Sequence, residues 1–522
     1  MGRWIFRVVG LLAIVAMSLF IGAKWIAKTQ KADFDDTVSR LKPLVEVAPV
    51  SEPKGLPLRG EEGVSADGFP LQWVDQAGLR SLLIHRRFAA LDAAFTHFQD
   101  AFEKDPRFER WPADATAAFA SSEPALRPLL DEWLEASPES FAPWLARGSH
   151  QAAVAHNQRG SKWAKDTTDV EFAEMRATIP LALADLEHAL SLRPWLLAAL
   201  GREFHLIMLK GDLFAFEEAA RRADALCLSC FLHRVSVMNA RQPRWGGSYE
   251  EMKRYAARAP VKDNPRLALL PGYIELDVAD VAISDGREAD ALAASDRALA
   301  FGDHWAFLLG RGHVLRHRKE YDAALVDLSR ALQLRPGNPD VLVERAEVYF
   351  GLQKAELAAH DLLAALRVEP SHVRADQLYG HAVWSLIHDG LEFHNAGRRE
   401  DALRVFDLAS ELAPLDGEVL GRRAMVLASG DAGIEVLRAA VEAAPDDLRT
   451  NQTLDYALAK ENQYDEVVAL WNRYLSKHGQ DGRAYMERAG ALNHLGRRPE
   501  VIADLEKACE LGVTEGCARL RK

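Results

Sequence analysis

Small and hydrophobic residues recur along the chain with a spacing that predicts packed pairs of helices. In the stretch Ala324–Pro336, two alanines stand seven residues apart on one helical face, with a leucine between them. This face is flat enough for a close neighbour, and the proline ends the helix because it cannot continue one. The same arrangement returns 34 residues later, at Ala358, Leu362, Ala365 and Pro370. The pattern predicts an all-α chain built from a repeated helical unit.

This pattern, with its period of 34 residues, resembles the tetratricopeptide repeat, a helix–turn–helix unit that stacks into a solenoid. The resemblance covers residues 272–512. Within it, an insertion of about ten residues is expected around Ser371–Ala382, because the next copy comes 44 residues after its predecessor. A near-copy of the best unit occurs at Ala182–Pro194, where nine of thirteen positions match Ala324–Pro336. We therefore expect repeat-like packing to begin before the array.

In the tetratricopeptide-repeat family, the first helices of successive units line a groove that takes an extended or helical peptide. The resemblance therefore implies a protein or peptide partner. The lysine and asparagine pattern with which some members hold a C-terminal carboxylate is not present, so a mixed apolar and imidazole-lined groove is expected. Each candidate position is also compatible with a merely solvated or packed side chain. Carried over by position, the candidates are Leu309, His313, Arg316, His317, Val343, Glu347, Phe350, Trp384, Ile387, Leu391, His394 and Asn395.

Residues 1–28 predict a membrane anchor. The apolar run Val8–Ile26 would form a helix ~28 Å long, just enough for a hydrocarbon core of ~30 Å. Trp4 and Trp25 stand near its ends, where interfacial aromatic residues are found. A signal peptide cleaved near Ala23 is the alternative. Both interpretations carry the rest of the chain across the membrane.

Residues 29–72 are rich in proline and glycine and show no apolar period, which predicts a flexible linker. An α-helical domain is expected over residues 73–260. Its first helix should begin after Asp75, a candidate N-cap, and continue to Asp105. Thr168 and Glu171 form a capping box that opens a later helix.

The segment Arg241–Met252 departs from the repeat pattern. Arg241, Arg244 and Trp245 either form an exposed recognition loop, or Trp245 is buried between helices while the arginines pair with carboxylates. Together with Trp144–Gly148, this segment resembles the bacterial family labelled domain of unknown function 4034, over roughly residues 75–260. That label implies a bacterial envelope context and no catalytic residues.

Charge and motifs narrow the possible functions. A formal net charge of −12 argues against a general nucleic-acid-binding protein, which would show a basic face. The sequence contains no His-Glu-x-x-His, Gly-x-Ser-x-Gly, phosphate-binding Gly-Lys-Ser/Thr or calcium-loop motif. We therefore expect no enzyme activity, cofactor, metal or small-molecule substrate. An enzyme with an unrecognised site in the N-terminal helical domain is the alternative.

The four cysteines fall in two close pairs. On one continuous helix Cys509 and Cys517 would lie ~12 Å apart, too far for a disulfide, but a helix that ends at Gly512 lets the chain reverse and bring them together. Their spacing resembles cysteine-rich α/α-repeat proteins of bacterial secreted origin, in which such a pair joins two helices. Cys227 and Cys230 lack the βαβ context of a redox domain, so a structural bridge is expected, with buried thiols as the alternative. Residues 513–522 would form a C-terminal cap.

The sequence thus predicts an all-α protein, in which an α-solenoid of helix–turn–helix repeats follows an irregular α-helical domain and an N-terminal transmembrane helix. The favoured function is a non-catalytic, membrane-anchored scaffold that binds a protein or peptide in its groove. The expected location is the bacterial inner membrane, single-pass, with the body in the periplasm, or the periplasm itself after signal cleavage. The alternative function is a structural subunit of an envelope assembly.

Overall fold

The computed structural model describes residues 55–64, 69–160, 167–413, 431–443 and 445–520, with Val419, Arg422, Arg423 and Val426 between them. All of these residues belong to one compact unit, Val50–Lys522, which is almost entirely helical. The expected anchor, residues 1–28, and much of the expected linker lie outside the described residues. None of the helices in the described ranges is both long enough and apolar enough to span a membrane.

The described chain begins with a small antiparallel sheet, in which β1 (Leu58–Arg59) pairs with β2 (Trp73–Val74). Folded structure therefore starts before residue 73, inside the segment expected to be a linker. The helices that follow are α1 Gln76–Ile84, α2 Phe88–Lys104, α3 Arg110–Ala117, α4 Leu126–Ala136, α5 Phe141–Arg159, α6 Asp169–Leu192, α7 Leu197–Lys210, α8 Leu213–Leu226, α9 Phe231–Ala240, α10 Tyr249–Ala257, α11 Gly272–Ser284, α12 Glu288–Leu299, α13 Trp305–His317, α14 Tyr321–Leu334, α15 Pro339–Gly351, α16 Ala355–Val368, α17 Val373–Asn395, α18 Arg399–Leu412, α19 Asp431–Ala443, α20 Leu448–Lys460, α21 Tyr464–Lys477, α22 Gly482–His494, α23 Arg498–Glu510 and α24 Thr514–Arg519.

The single helix expected between Asp75 and Asp105 is two helices, α1 and α2. Its start is confirmed, because the Asp75 side chain accepts a hydrogen bond from the Gly78 N–H at 3.1 Å. The helix is interrupted at Arg86, whose φ of 56° lies in the left-handed region. The guanidinium of this residue pairs with Glu132. The prediction of one helix was wrong because the break occurs at an arginine, without the glycine or proline that marks most helix ends.

The break at Arg86 has the geometry of the turns inside later helix pairs. In each turn a residue with positive φ follows the first helix, and the next N–H donates to the carbonyl oxygen five residues back, as in a Schellman motif. Paired helices of the repeat type therefore begin at α1. The left-handed residues of these turns are Arg86, Gly211, Gly286, Lys319, Gln353, Gly397, Asn462 and Gly496, and Gly512, which follows the second helix α23, has the same geometry.

The predicted repeat positions form the core. Ala324, Leu328 and Ala331 are fully buried, as are their counterparts one unit later. Apolar clusters follow one another along the chain, over residues 74–206, 200–307, 308–348, 342–419 and 434–492. The expected insertion lengthens a first helix: α17 has 23 residues, whereas α13 and α15 have 13 each.

An arginine on the first helix of several units joins two second helices. Arg311 binds Asp327 on its own unit through two hydrogen bonds of 2.7 and 2.8 Å, and Asp296 of the preceding unit at 2.9 Å. A guanidinium that holds a buried carboxylate in two hydrogen bonds fixes both distance and angle, so these arginines set how units stack. The other arginine–aspartate pairs of this kind are Arg147–Asp185, Arg345–Asp361 and Arg488–Asp504.

The N-terminal helices also touch the loops between later units. The hydroxyls of Ser121 and Ser371 lie 2.7 Å apart, and Arg335 pairs with Asp114 at 3.3 Å. Arg80, which is buried, donates to the carbonyl oxygens of Ala118 and Arg367. We call these pairings the N-terminal contact. The pairings of Ser121 with Ser371, Asp114 with Arg335 and Arg80 with Arg367 join residues more than 200 positions apart through polar groups.

Candidate functional site

The groove candidates lie on α13, α15 and α17, the first helices of three consecutive units. We call the surface that these helices form together the first-helix face. Side chains from all three meet there around Glu344, a residue of α15 that is 2% exposed. Consecutive first helices are therefore adjacent, as the repeat resemblance implies.

Five ionisable side chains form a charge cluster on this face. Oε1 of Glu344 accepts a hydrogen bond from Arg316, and the same oxygen lies 3.0 Å from Nδ1 of His313. Its other oxygen accepts from Arg374 of α17 at 2.9 Å. Glu347 completes the cluster by pairing with Arg316 at 3.0 Å and with Arg374. Two carboxylates are thus shared between two guanidinium groups and an imidazole.

The charges of the cluster hold Glu344 in its ionised form. Burial alone would raise the pKa of Glu344, but the hydrogen bond from His313 and the positive charges of His313, Arg316 and Arg374 lower it to about 2. Burial, together with the charges of His313 and Arg316, also lowers the pKa of His317, whose ring lies 4.6 Å from that of His313. The predicted contacts His313, Arg316 and Glu347 therefore already have partners inside the protein.

Next to the charge cluster, α17 presents exposed rings. Trp384 is 64% exposed and stacks on His388, with ring centroids 5.8 Å apart and planes inclined by 27°. His381, also exposed, meets the edge of Phe350 at 4.6 Å. Positions 381, 384 and 388 lie on the same side of a helix. We call His381, Trp384 and His388 the aromatic stripe.

The remaining groove candidates are divided between packing and solvent. Val343 is 1% exposed, and Leu309, Ile387 and Leu391 pack against apolar clusters, as the packing alternative expects. His394 is partly buried and Asn395 exposed at the end of α17. The face that a partner could touch is therefore narrower than the sequence implied.

Sequence reasoning missed Glu344, Arg374, His381 and His388. Helical spacing could have found the two histidines, since they flank Trp384 at distances of three and four residues. It could not have found Arg374, because its pairing depends on how α17 lies against α15.

The segment around Trp245 combines features of both alternatives. Arg244 pairs with the buried Asp277 of α11, and Arg241 pairs with Glu217 at 3.0 Å. Trp245 itself is 40% exposed, so it is not a core side chain. Gly247 is required there, because a Cβ would lie 2.2 Å from the Arg241 carbonyl oxygen. The arginines therefore hold the loop in place, while the indole stays partly accessible.

One group of metal-type ligands occurs among the described residues. His388, Asp389 and Glu392 share a turn of α17, with ligand atoms within 4.8 Å of one another. His388 and Glu392 are exposed, and the three side chains already pair weakly, at 3.8 and 3.9 Å. An exposed cluster of this kind on one helical turn does not define a metal site.

Both cysteine pairs are placed as disulfides. Cys509 and Cys517 have Cα atoms 4.8 Å apart, and Gly512 between them has a φ of 88°, as expected from the predicted reversal. Cys227 and Cys230 have Cα atoms 5.4 Å apart and join the end of α8 to the start of α9. Neither bridge lies on the first-helix face.

Comparisons with known proteins agree with this architecture. The family model "Domain of unknown function (DUF4034)" matches residues 75–211. "Tetratricopeptide repeat protein 16" of Homo sapiens is 28% identical over 221 residues, which are 39% of this chain and 25% of that protein. "Hsp70-Hsp90 organizing protein" of Triticum aestivum is 24% identical over 214 residues, which are 39% of this chain and 34% of that protein. The solved structure of yeast Tom70 is 15% identical and covers 85% of this chain and 94% of its own, with a TM-score of 0.25, too low to compare shapes.

The fold and the first-helix face define a helical-repeat protein of the solenoid type. Residues 75–211 match the DUF4034 family model, and the chain is similar to tetratricopeptide-repeat proteins. The resemblances to the tetratricopeptide repeat and to domain of unknown function 4034 are thus confirmed, although the family match ends at residue 211 rather than near 260. The matched segment spans between a quarter and a third of the length of these curated relatives.

Proposed function

We propose that this protein is a non-catalytic interaction scaffold that holds a protein or peptide on its first-helix face. Residues 1–28 would anchor it in the bacterial inner membrane, with the body in the periplasm. The repeat class supports the scaffold function, and one relative bears the name of an organizing protein for two chaperones. The two disulfides support a periplasmic body, because disulfides persist in oxidising compartments.

The observation that carries the proposal is that the exposed aromatic stripe lies beside a charge cluster whose carboxylates already pair with arginines. Because Glu344 and Glu347 already bind arginines, a partner gains little by displacing those pairs and would leave buried charges unpaired. The exposed Trp384 has no such cost. Exposed tryptophans that become buried on binding commonly contribute most of the affinity at an interface.

These features indicate the chemistry of the partner. It should present an apolar or aromatic side chain to Trp384, and polar groups that lie along the charge cluster without entering it. An extended or helical segment fits a face built from parallel first helices. A general anionic or cationic tail fits less well, because the carboxylates and guanidinium groups of the cluster already pair with one another.

Replacing the two stacked rings tests the face without disturbing the fold. In Trp384→Ala/His388→Ala, capture of partners from crosslinked membranes should fall about tenfold or more, as expected for loss of an interface anchor. Phe214→Ala removes another exposed ring, 84% exposed on α8, and should leave capture unchanged. Equal capture by all three proteins would overturn the assignment of the face.

The location has its own test. A phosphatase that folds only in the periplasm, fused after Lys522, should be active. If the phosphatase is inactive while a fluorescent protein fused at the same position folds in the cytoplasm, the body is not periplasmic. That result would also remove the support taken from the disulfides.

A further inference from the structure

Arginines from three separate parts of the chain lie near one another at the N-terminal contact. Arg110 begins α3, Arg335 follows α14, and Arg266 lies in the short segment Pro265–Leu269 before α11. Arg110 and Arg335 both pair with Asp114, at 3.6 and 3.3 Å. Two guanidinium groups therefore share one carboxylate, which leaves one positive charge without a counterion. None of these residues belongs to the charge cluster or the aromatic stripe.

Arg110 is poorly paired for a side chain that is only 27% exposed. Its contact with Asp114 is too long for a hydrogen bond, and no other described residue accepts one from its guanidinium. The nearby Glu109 is engaged elsewhere, since its two oxygens accept the first two N–H groups of α9. Burial and the charge of Arg335 lower the pKa of Arg110 to about 10. The surroundings of this guanidinium thus disfavour its charge, which an additional anion would stabilise.

His304 supplies a neutral hydrogen-bond donor beside the arginines. It is 9% exposed, and its Nδ1 accepts the N–H of Ala306 at 3.2 Å at the start of α13. Because Nδ1 accepts, Nε2 of the neutral ring carries the hydrogen. Burial and the charges of the three arginines lower the pKa of His304 to about 3, so the ring is neutral near pH 7. Its Nε2 has no hydrogen-bond partner among the described residues and is in contact with solvent.

Ring contacts place these groups close together. The Arg335 guanidinium lies over the Trp305 ring, 4.6 Å from its centroid, and the His304 ring is 5.7 Å from that of Trp305. Tyr273 of α11 lies 5.9 Å from His304, and its hydroxyl has no hydrogen-bond partner among the described residues. Burial raises the pKa of Tyr273, while the charges of Arg335 and Arg110 oppose the rise. The hydroxyl is therefore near both guanidinium groups.

The groups left without a partner here can all donate hydrogen bonds. They come from α3, α11, α13 and the turn after α14, and so approach from different directions. The side chains of Arg110 and Arg335 are 27% and 26% exposed, so an ion can reach them from solvent. Arginine is well suited to phosphate because its N–H groups form pairs of parallel hydrogen bonds with the oxygens. The four oxygens of a phosphate match donors from several directions better than the two coplanar oxygens of a carboxylate.

We propose that this cluster binds a phosphate group, either inorganic phosphate or the phosphate of a small monoester. Arg110 and Arg335 pair with its oxygens, while Nε2 of His304 and the hydroxyl of Tyr273 donate to the others. Asp114 is the carboxylate at this site, and the shared guanidinium groups offset its charge. Because Arg110 belongs to the N-terminal helices and Arg335 to the repeats, the bound anion also strengthens the N-terminal contact. This site does not depend on the function proposed for the first-helix face.

Calorimetric titration of the full-length chain at constant ionic strength tests the class of ligand. Inorganic phosphate, glycerol 3-phosphate and acetate are the probes. At least one of the two phosphates should bind about tenfold or more tightly than acetate, because more donors find an acceptor. The ratio between the two phosphates tells whether the free ion or the monoester is the better ligand. No binding of either, or equally tight binding of acetate, would overturn the proposal.

Two variants and a control place the phosphate in this cluster. Arg110→Met should weaken binding about tenfold or more, because it removes a charged partner of the anion. His304→Asn should also weaken binding, because it removes the Nε2 donor while asparagine can still cap α13. Arg107→Met is the control, since that side chain is 50% exposed and pairs with Asp105, and it should bind as the parent does.

Stability separates a ligand site from a merely structural role. Phosphate should raise the urea midpoint of the parent and of Arg107→Met but not that of Arg110→Met. In phosphate-free buffer Arg110→Met should be no less stable than the parent, because the buried charge it removes is unfavourable. Unchanged affinity in Arg110→Met and His304→Asn, with folding verified by circular dichroism, would place any bound phosphate elsewhere. Equal weakening in Arg107→Met would likewise contradict the assignment.

Discussion

A residue far away in the sequence can supply a helix cap that the residues next to the helix do not provide. Cys230 is the N-cap of α9, but its side chain makes no capping hydrogen bond and is part of a disulfide. Glu109, 6% exposed and more than 100 residues earlier, supplies the missing acceptors for the first N–H groups of that helix. Burial raises the pKa of Glu109 to about 7, although these two hydrogen bonds oppose the rise.

This raised pKa makes stability depend on pH in a defined direction. Below about pH 4.5 Glu109 is protonated in both states, whereas between pH 4.5 and 7 only the folded state keeps the proton. Its contribution to the free energy of unfolding is therefore full below pH 4.5 and is lost as the pH rises through 7, by about 3 kcal/mol at most. Urea titrations give the free energies of unfolding of the parent and of Glu109→Gln. The free energy of the parent relative to that of the variant should fall between pH 5 and 7.5. A constant difference over that range would contradict the assigned pKa.

At the scale of helices, the turns inside units share a geometry but not a residue type. Of the eight left-handed positions in these turns, four belong to residues other than glycine, namely Arg86, Lys319, Gln353 and Asn462. Side chains at such positions carry a steric cost that glycine avoids. The tertiary packing of the two helices holds the turn even where the local sequence does not favour it.

Two glycines of one unit separate this effect from ordinary helix propensity. Gly496 has a φ of 70° in its turn, and Gly490 lies inside α22; a Cβ at either position would meet nothing within 4 Å. Gly496→Ala should lower the free energy of unfolding by about 1 kcal/mol because of the left-handed backbone. Gly490→Ala should raise it by about 0.5–1 kcal/mol. Chemical denaturation of both variants measures the two values, and shifts of the same sign would refute the explanation.

The repeated helices could be predicted from the sequence, but some of the turns and contacts that connect them could not. Ala324, Leu328 and Ala331 revealed the second helices because small residues are required where helices approach closely. The reversal at Gly512 was predictable because glycine tolerates the positive φ at which a helix ends. Arg86 and Arg374 were not, since one breaks a helix without a breaker residue and the other finds its partners only across neighbouring units.

At the scale of the whole molecule, the N-terminal contact adds a closure that a simple solenoid lacks. In a simple solenoid each unit touches only its neighbours. Here Ser121 and Asp114 reach the loops that follow α16 and α14, and Arg80 reaches the C-terminal end of α16. These pairings are polar, and burial lowers the pKa of Arg80 to about 10, against attraction from Glu123, Asp75 and Glu369.

A designed disulfide tests this closure in solution. The hydroxyl oxygens of Ser121 and Ser371 are 2.7 Å apart, so Ser121→Cys/Ser371→Cys should form an intramolecular bridge without a large backbone shift. Peptide mapping by mass spectrometry identifies the linkage. As a control, Ser121→Cys/Ser476→Cys should give no such bridge. Failure of the first pair to oxidise under air would show that the contact is not kept in solution.

The central claim, that the first-helix face holds a partner, is tested most directly by photocrosslinking in cells. A photoreactive phenylalanine at position 384 should give a discrete adduct that is absent when the same residue stands at position 214. A discrete adduct at 214 and none at 384 would contradict the account.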